Sequence, residues 1–194
     1  MPHKRYQYRM DENMIDQNEN NKSCESVTVS VNGNAYNLVN TRNLLFLTED
    51  ELVRRQAVQT LVKDLKAQNV QVFFMSAEPE AYDTTLGATP FSDHALGELI
   101  SEMEARFDRI VDAMARRFLD YNTAHPNTQI PLYIVVVDGV DEALTSHFYD
   151  AFTEKLWCLS QKCRPSGIHV VAFAKRLEPI SSPVYAQFLP PVTI

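Results

Sequence analysis

The sequence predicts an α/β fold, a mainly parallel sheet with helices on both faces, preceded by a small β-hairpin. From residue 44 onward, short apolar runs alternate with long amphipathic stretches. That alternation builds parallel sheets, because parallel neighbours need a crossover and the crossover is usually a helix. The run Leu132-Tyr133-Ile134-Val135-Val136-Val137 is apolar at every position, as a strand buried on both faces must be. Ahead of these elements, Val27, Val29 and Val31 alternate with polar residues up to Asn32-Gly33-Asn34, and Ala35-Tyr36-Asn37-Leu38 follows. Asn-Gly between two such segments marks a tight hairpin turn.

The elements follow in order. Residues 1–26 are rich in Asn, Glu, Asp and Lys, too polar to bury an ordered surface, and are expected to form a flexible arm before one domain spanning 27–194. Leu44 to Leu47 reads as a strand, and the next segment places Val53, Ala57, Leu61 and Leu65 on one helical face. Val70 to Met75 reads as the second strand, followed by a loop with Pro79, Gly87 and Pro90. A long helix is expected from His94 to Tyr121, with Leu96, Leu99, Ile100, Met103, Phe107, Ile110, Met114 and Phe118 as its core stripe. After a loop with Pro126 and Pro131 come the 132–137 strand, a helix over 146–164 and a strand over 168–173.

Composition bounds the function. Net charge is −7, from 25 acidic and 18 basic residues, which argues against broad nucleic-acid binding, since that depends on neutralising phosphates. Cys24, Cys158 and Cys163 form no CxxC pair, so they read as reduced thiols of a cytoplasmic protein and imply no zinc site. The N-terminus lacks an apolar signal segment, and no run approaches the roughly 20 residues of a membrane span, so direct membrane insertion is not expected. His3, His94, His125, His147 and His169 show no metal-binding spacing, and His169, inside an apolar strand, reads as a satisfied core histidine. No GxSxG or Cys/His signature for a nucleophile is present.

One motif carries chemistry. Val135-Val136-Val137-Asp138 ends an apolar strand in an aspartate, as P-loop proteins do to hold Mg²⁺. Alone, a strand followed by Asp-Gly is equally a turn. The surrounding residues resemble the motor domain of FtsK/SpoIIIE translocases and the EssC/EccC ATPases of type VII secretion, within the HerA-FtsK group. Val27 to Leu38 is similar to the family's lead-in ribbon, and Arg42 to Leu47 to the strand entering its P-loop. Leu99-Ile100-Ser101-Glu102-Met103-Glu104-Ala105-Arg106-Phe107 resembles its L-x-x-E-M-E-x-R-[YF] helix, with Tyr121-Asn122 near its Y-N. Pro131 to Asp138 and Gly167 to Arg176 resemble its L-P-Y-I-V-V-V-I-D-E and G-I-H-L-V-L-A-T-Q-R strands. The resemblance implies a P-loop NTPase-like sheet of the RecA/FtsK type, with the sensor strand between the P-loop and Walker B strands. It also implies an activity of ATP-driven transport.

The departures from that pattern bear on activity. A P-loop, G-x-x-x-x-G-K-[ST], uses glycines to wrap phosphates, a lysine for the β/γ-phosphates and a hydroxyl for Mg²⁺. Here the stretch is Thr48-Glu49-Asp50-Glu51-Leu52-Val53-Arg54-Arg55, without glycine. Thr48 and Glu51 have the spacing of a capping box, and Glu49, Asp50 and Glu51 put carboxylates at the positive end of the next helix. After the degenerate Walker B Asp138, Gly139 stands where the family has its catalytic glutamate, although Asp141 and Glu142 follow and could deputise. Lys175 and Arg176 fall at the sensor end, with Ala174-Lys175 in place of Thr-Gln. From the implied strand order, Lys175 or Arg176 is expected to pair with Asp138 or with one of Glu49, Asp50 and Glu51. Arg116-Arg117 is a candidate arginine finger, though more simply a solvated helix end. After Arg176, where the family has further strands and a DNA-facing segment, Pro179, Pro183, Pro190 and Pro191 leave room for one short strand near Ala186 to Leu189.

The leading expectation is a pseudo-ATPase without catalytic residues, cofactor or metal. It would act as an interaction module on protein partners, for instance an active FtsK/HerA-type ATPase or a membrane-associated secretion or conjugation complex, with homo-oligomerisation also open. The alternative is an active translocase or secretion ATPase subunit using ATP and Mg²⁺ at a non-standard site. A third reading is an unrelated metal-assisted enzyme built on the carboxylates near Asp138. For the arm, the expectation is that deleting residues 1–26 leaves the melting temperature by circular dichroism unchanged; a fall of several degrees would show it docked on the domain.

Overall fold

The computed structural model describes residues 26–146, 149–176, 187–188 and 190–194. The expected arm therefore lies outside the described residues apart from Ser26, as do His3, Cys24 and His147. The hairpin is as read: β1 (Thr28–Val31) and β2 (Asn34–Asn37) pair antiparallel with Val31 opposite Asn34. Asn32 (φ 49°) and Gly33 (φ 77°) are both left-handed, the backbone that a two-residue type I′ turn demands. Val27, Val29 and Val31 are buried, so the ribbon is part of the core.

The main sheet comprises β3 (Leu44–Leu47), β4 (Gln71–Ser76), β5 (Thr89–Pro90), β6 (Tyr133–Asp138), β7 (Ile168–Ala174) and β8 (Val192–Thr193). Their order is β5-β4-β6-β7-β3-β8, and every pairing is parallel. β7 thus lies between β3 and β6, the order expected. The helices are α1 (Glu51–Ala67), α2 (Asp93–Asp112), α3 (Phe118–Ala124), α4 (Val140–Thr145) and α5 (Asp150–Lys162).

The continuous apolar strands serve two cores at once because side chains alternate across a sheet. Leu44, Phe46, Phe74, Ile134, Val136, Val171 and Phe173 face a layer made by α1, the hairpin and α3. Leu45, Met75, Val135, Val137, Val170 and Ala172 face the opposite layer, made by α2, α4 and α5. At the amino edge, buried Arg106 of α2 holds the chain as it enters β6 and β7. Its Nη1 donates to the carbonyls of Pro131 (2.8 Å) and Ser166 (3.2 Å), its Nε to Glu102 (2.7 Å), and its guanidinium lies 3.8 Å over the Tyr133 ring. Gly167 is left-handed (φ 79°), and a Cβ there would lie 2.9 Å from the Phe118 ring, so only glycine fits.

Four expectations are corrected. The helix foreseen over 94–121 is two: α2 stops at Asp112, Met114 is left-handed (φ 53°) and 94% exposed, and α3 starts at Phe118. The break turns Phe118 and Tyr121 into the α1 layer, where Asn122 locks the new direction by accepting from Ile130 N (2.7 Å) and donating to Ile130 O (2.9 Å). The helix foreseen over 146–164 is α5, which begins only at Asp150, and a short helix that was not foreseen, α4, precedes it, with Ser146 extended at its end and Thr153 Oγ1 donating to the Ala143 carbonyl (3.2 Å). On α1 the buried face is Arg54, Val58, Leu61, Val62 and Leu65, and Val53 is exposed. The last strand is Val192–Thr193; of the expected 186–189 segment, Phe188 makes a single bridge to Asn43, and 186 and 189 lie outside the described residues.

His169 is buried in β7 as expected, but its Nε2 has no hydrogen-bond partner among the described residues, so it is not the satisfied histidine the sequence suggested. Burial pushes its pKa down to about 4 from 6.5. The folded state therefore keeps it neutral while the unfolded chain protonates below about 6.5, so this contribution to stability is present above that pH and is lost as pH falls toward 4. Urea unfolding between pH 7 and 5 should show wild type losing up to about 1.4 kcal/mol per pH unit more than His169→Gln. Parallel slopes would show that His169 does not titrate between the two states.

Candidate functional site

The parallel register brings the ends of four strands together at one edge. Ser76 pairs with Asp138, Asp138 with Phe173, and Leu47 with Ala174. The segments that follow these strands supply the rest: Thr48 to Arg55 after β3, the loop bearing Tyr82 after β4, Gly139 to Glu142 after β6, and Lys175-Arg176 after β7.

Asp138 sits at the centre, 3% exposed. Its Oδ2 accepts from Tyr82 Oη (2.6 Å) and Ser76 Oγ (3.3 Å), and its Oδ1 lies 3.4 Å from Arg54 Nε. The Arg54 side chain is equally enclosed, 3% exposed, and reaches the carboxylate from the first turn of α1. Arg54 Nε and Nη1 and Asp138 Oδ1 are buried without a hydrogen-bond partner among the described residues. The pair is thus joined by charge more than by directed bonds. Burial raises the Asp138 pKa, while Arg54 and the two hydroxyl donors pull it back; burial wins. By sign, this group's contribution is present at acid pH and declines as pH rises through the raised value. Burial, reinforced by the Asp138 charge, pushes the Tyr82 phenol well above its ordinary 10, so Tyr82 stays a donor.

The helix start after β3 is closed by its own carboxylate. Asp50 Oδ1 accepts from Leu52 N (2.9 Å) and Val53 N (3.2 Å), two of the free amides at which an anion would bind. This replaces the capping box read between Thr48 and Glu51. Thr48 cannot serve as the cap because its N–H is still in the sheet, donating to Ala174 O (3.2 Å), and its hydroxyl accepts from Asp50 N (3.2 Å). Glu51 instead pairs with Arg55, which also meets Glu78 (2.6 Å).

Lys175 does not take the partner expected for it. Its Nζ lies 3.3 Å from Glu142, while Asp141 Oδ2 accepts from the backbone N–H groups of Lys175 (3.2 Å) and Arg176 (3.4 Å). Asp141 and Glu142 therefore pin the end of β7, and the cation at Asp138 comes from α1. Gly139 is left-handed (φ 79°) and immediately precedes α4, a backbone in which any residue with a side chain is strained. Of the other candidates, Arg117 meets Asp120 (3.5 Å) at the exposed start of α3, and His125 stacks on Tyr121.

Arg54, Ser76 and Tyr82 were missed by sequence reasoning. For Arg54 a signal existed: laying G-x-x-x-x-G-K-[ST] on Thr48 to Arg55 puts Arg54 at the lysine, and Arg54 continues the Val58, Leu61, Leu65 stripe at helical spacing. Tyr82 gave none, because it reaches Asp138 from a loop of two short 3₁₀ turns.

The six-stranded parallel sheet, preceded by an antiparallel hairpin, matches the structures of FtsK- and EccC-type ATPase domains. Among solved structures the chain is similar to the pCW3 conjugation coupling protein TcpA in its monomer form with ATPγS, with TM-score 0.73 and 12% identity over 86% of this chain and 53% of that one. It is similar to ATPases 2 and 3 of EssC from Geobacillus thermodenitrificans, with TM-score 0.63 and 13% identity over 82% of this chain and 33% of that one. The cytoplasmic domain of the Thermomonospora curvata type VII secretion ATPase EccC matches with TM-score 0.62 and 15% identity over 87% of this chain and 23% of that one. The chain spans about half the length of the first of these and less of the others. No family model matches the sequence, and neither does any curated protein. Among the described residues no helix is long and apolar enough to cross a membrane.

The buried pair can be weighed directly. Arg54→Met strands a carboxylate and should cost about 3–5 kcal/mol, whereas Arg54→Met with Asp138→Asn should recover much of that loss. A double-mutant cycle by urea unfolding measures the coupling, and a value inside the 0–1 kcal/mol range of surface pairs would show that the two groups act independently.

Proposed function

We propose that this domain is a catalytically degenerate relative, in fold, of the FtsK/EccC-type ATPases, serving as an interaction module in a secretion or conjugation assembly. The observation that carries this reading is the occupation of the carboxyl edge by the chain's own charges. The Asp50 carboxylate caps the amides at the start of α1, and Arg54 lies against Asp138. A Mg²⁺-nucleotide, the group this fold family uses, does not fit these residues. Its phosphates would meet Glu49, Asp50 and Glu51, and its metal would meet a guanidinium. Asp141 and Glu142 are held by Lys175 and by backbone amides, so neither is set to activate water. The partner class is a protein, for which an ATP-hydrolysing motor of the FtsK/HerA type is the first candidate, at the cytoplasmic side of the membrane.

A second reading, an active subunit with an unconventional nucleotide site, draws on the fold likeness to TcpA in its ATPγS-bound form. Two measurements separate the readings. Millimolar Mg-ATP should leave the melting temperature unmoved and release no phosphate, although a ligand at 100 times its dissociation constant would add about 2.7 kcal/mol of stability. A shift with Mg-ATP that disappears in Asp138→Asn would establish the active reading. Copurification with a hydrolysing FtsK/HerA-type motor from the same cell is the matching positive expectation.

A further inference from the structure

α1 and α2 end in the same hydrogen-bonded turn. After α1, Asn69 N donates to Lys66 O (3.0 Å) and Val70 N to Leu65 O (3.1 Å); after α2, Met114 N donates to Val111 O (2.8 Å) and Ala115 N to Ile110 O (2.9 Å). This turn needs one left-handed residue, and glycine or asparagine normally supplies it, because a larger side chain strains the backbone there. Asn69 (φ 57°) follows that rule and Met114 (φ 53°) breaks it; every other left-handed position among the described residues is glycine or asparagine. The methionine returns nothing to the fold for this strain, since it is 94% exposed and belongs to neither core. A residue that the backbone disfavours and the core does not use points to a contact outside the chain.

The surroundings of Met114 describe that contact. Val111, on the last turn of α2, is 69% exposed, so the knuckle between α2 and α3 is apolar at its centre. Asp108 and Asp112 precede the centre on α2, and Arg116 and Arg117 follow it on the way into α3; all four are exposed. Arg109, between the acids in sequence, is drawn off to Tyr121 Oη and the Thr128 carbonyl, and Arg117 is shared with Asp120. A partner of a single sign would be repelled by half of this surface. A copy of the same surface, turned by half a turn, meets it acid to base on both sides with the apolar centres in contact. We propose that the α2–α3 knuckle, with Met114 at its apex, is a self-association surface through which two copies of this chain pair about a two-fold axis. The knuckle lies past Arg106 at the amino edge of the sheet, away from Asp138, and nothing in its pairing depends on nucleotide.

Sedimentation velocity of the full chain without nucleotide, from about 10 μM to about 1 mM, tests this, because a contact so small assembles reversibly in that range. Wild type should pass from monomer to dimer as concentration rises. Met114→Asn, which copies the residue that ends α1, should melt no lower than wild type in dilute solution, yet weaken the dimer by about tenfold or more. Asp112→Arg tips the charged flanks basic and Arg116→Asp tips them acidic. Each alone should weaken association by about tenfold or more, whereas the two variants mixed should pair with each other about as tightly as wild type pairs with itself. A wild type that stays monomeric throughout overturns the proposal, and so does a dimer indifferent to Met114→Asn, which would run through another surface. A Met114→Asn chain that melts lower in dilute solution would show the methionine serving the fold. A mixture of the two charge variants no better associated than either alone would exclude the two-fold pairing. Each of these last two results also overturns the proposal.

Discussion

A buried carboxylate at the end of a central strand must be neutralised, and the carboxyl edge of this sheet is organised around that requirement. Asp138 sits between β4 and β7 with solvent almost excluded, where an isolated charge would cost several kcal/mol. The chain meets the cost from three directions. α1 supplies the opposite charge through Arg54, β4 supplies the Ser76 hydroxyl, and the loop after β4 supplies Tyr82. Each of these contacts also fixes the element that carries it. Tyr82 packs edge-on against Phe74 (4.9 Å between ring centroids), so the bond from its hydroxyl seats a loop with little regular structure against the sheet.

The remaining charges at this edge are more exposed and work differently. Arg55 with Glu51 and Glu78, and Lys175 with Glu142, are open to water, where such pairs contribute little to stability. Their effect is on shape and sign: they arrange the segments after β3, β4, β6 and β7 into a surface rimmed by carboxylates. Asp141 is the exception among them, since its two bonds to backbone N–H groups hold the turn after β7.

The fold was legible because strand and helix periods survive translation into structure with little interference. Leu44 to Leu47 and Ile168 to Phe173 form strands as read, and the central run became β6 with a shift of one residue. What failed was continuity. The apolar spacing from His94 to Tyr121 does not reveal that Met114 turns left-handed, because the Asn122 to Ile130 bonds that redirect the chain depend on the folded loop. At the site, Asp138 was visible as the last residue of an apolar strand, whereas an arginine in a helix reads as solvated until its stripe is followed through Val58 and Leu61. Lys175 was placed at the right edge by strand order, but the shorter reach to Glu142 decided its partner.

The two flanks of the main sheet differ in what they offer a neighbour. β5 is the outermost strand on one side, only two residues long, and its second residue is Pro90. Proline has no amide hydrogen to give, and so short a strand presents almost no ladder for another chain to extend. β5 itself therefore offers a second molecule almost nothing to extend by strand addition, although it covers only Met75 and Ser76 of β4. A neighbour that met β5 would have to recognise side chains, whose composition can be tuned to one partner, because the backbone pairing that accepts almost any sequence is missing at that strand.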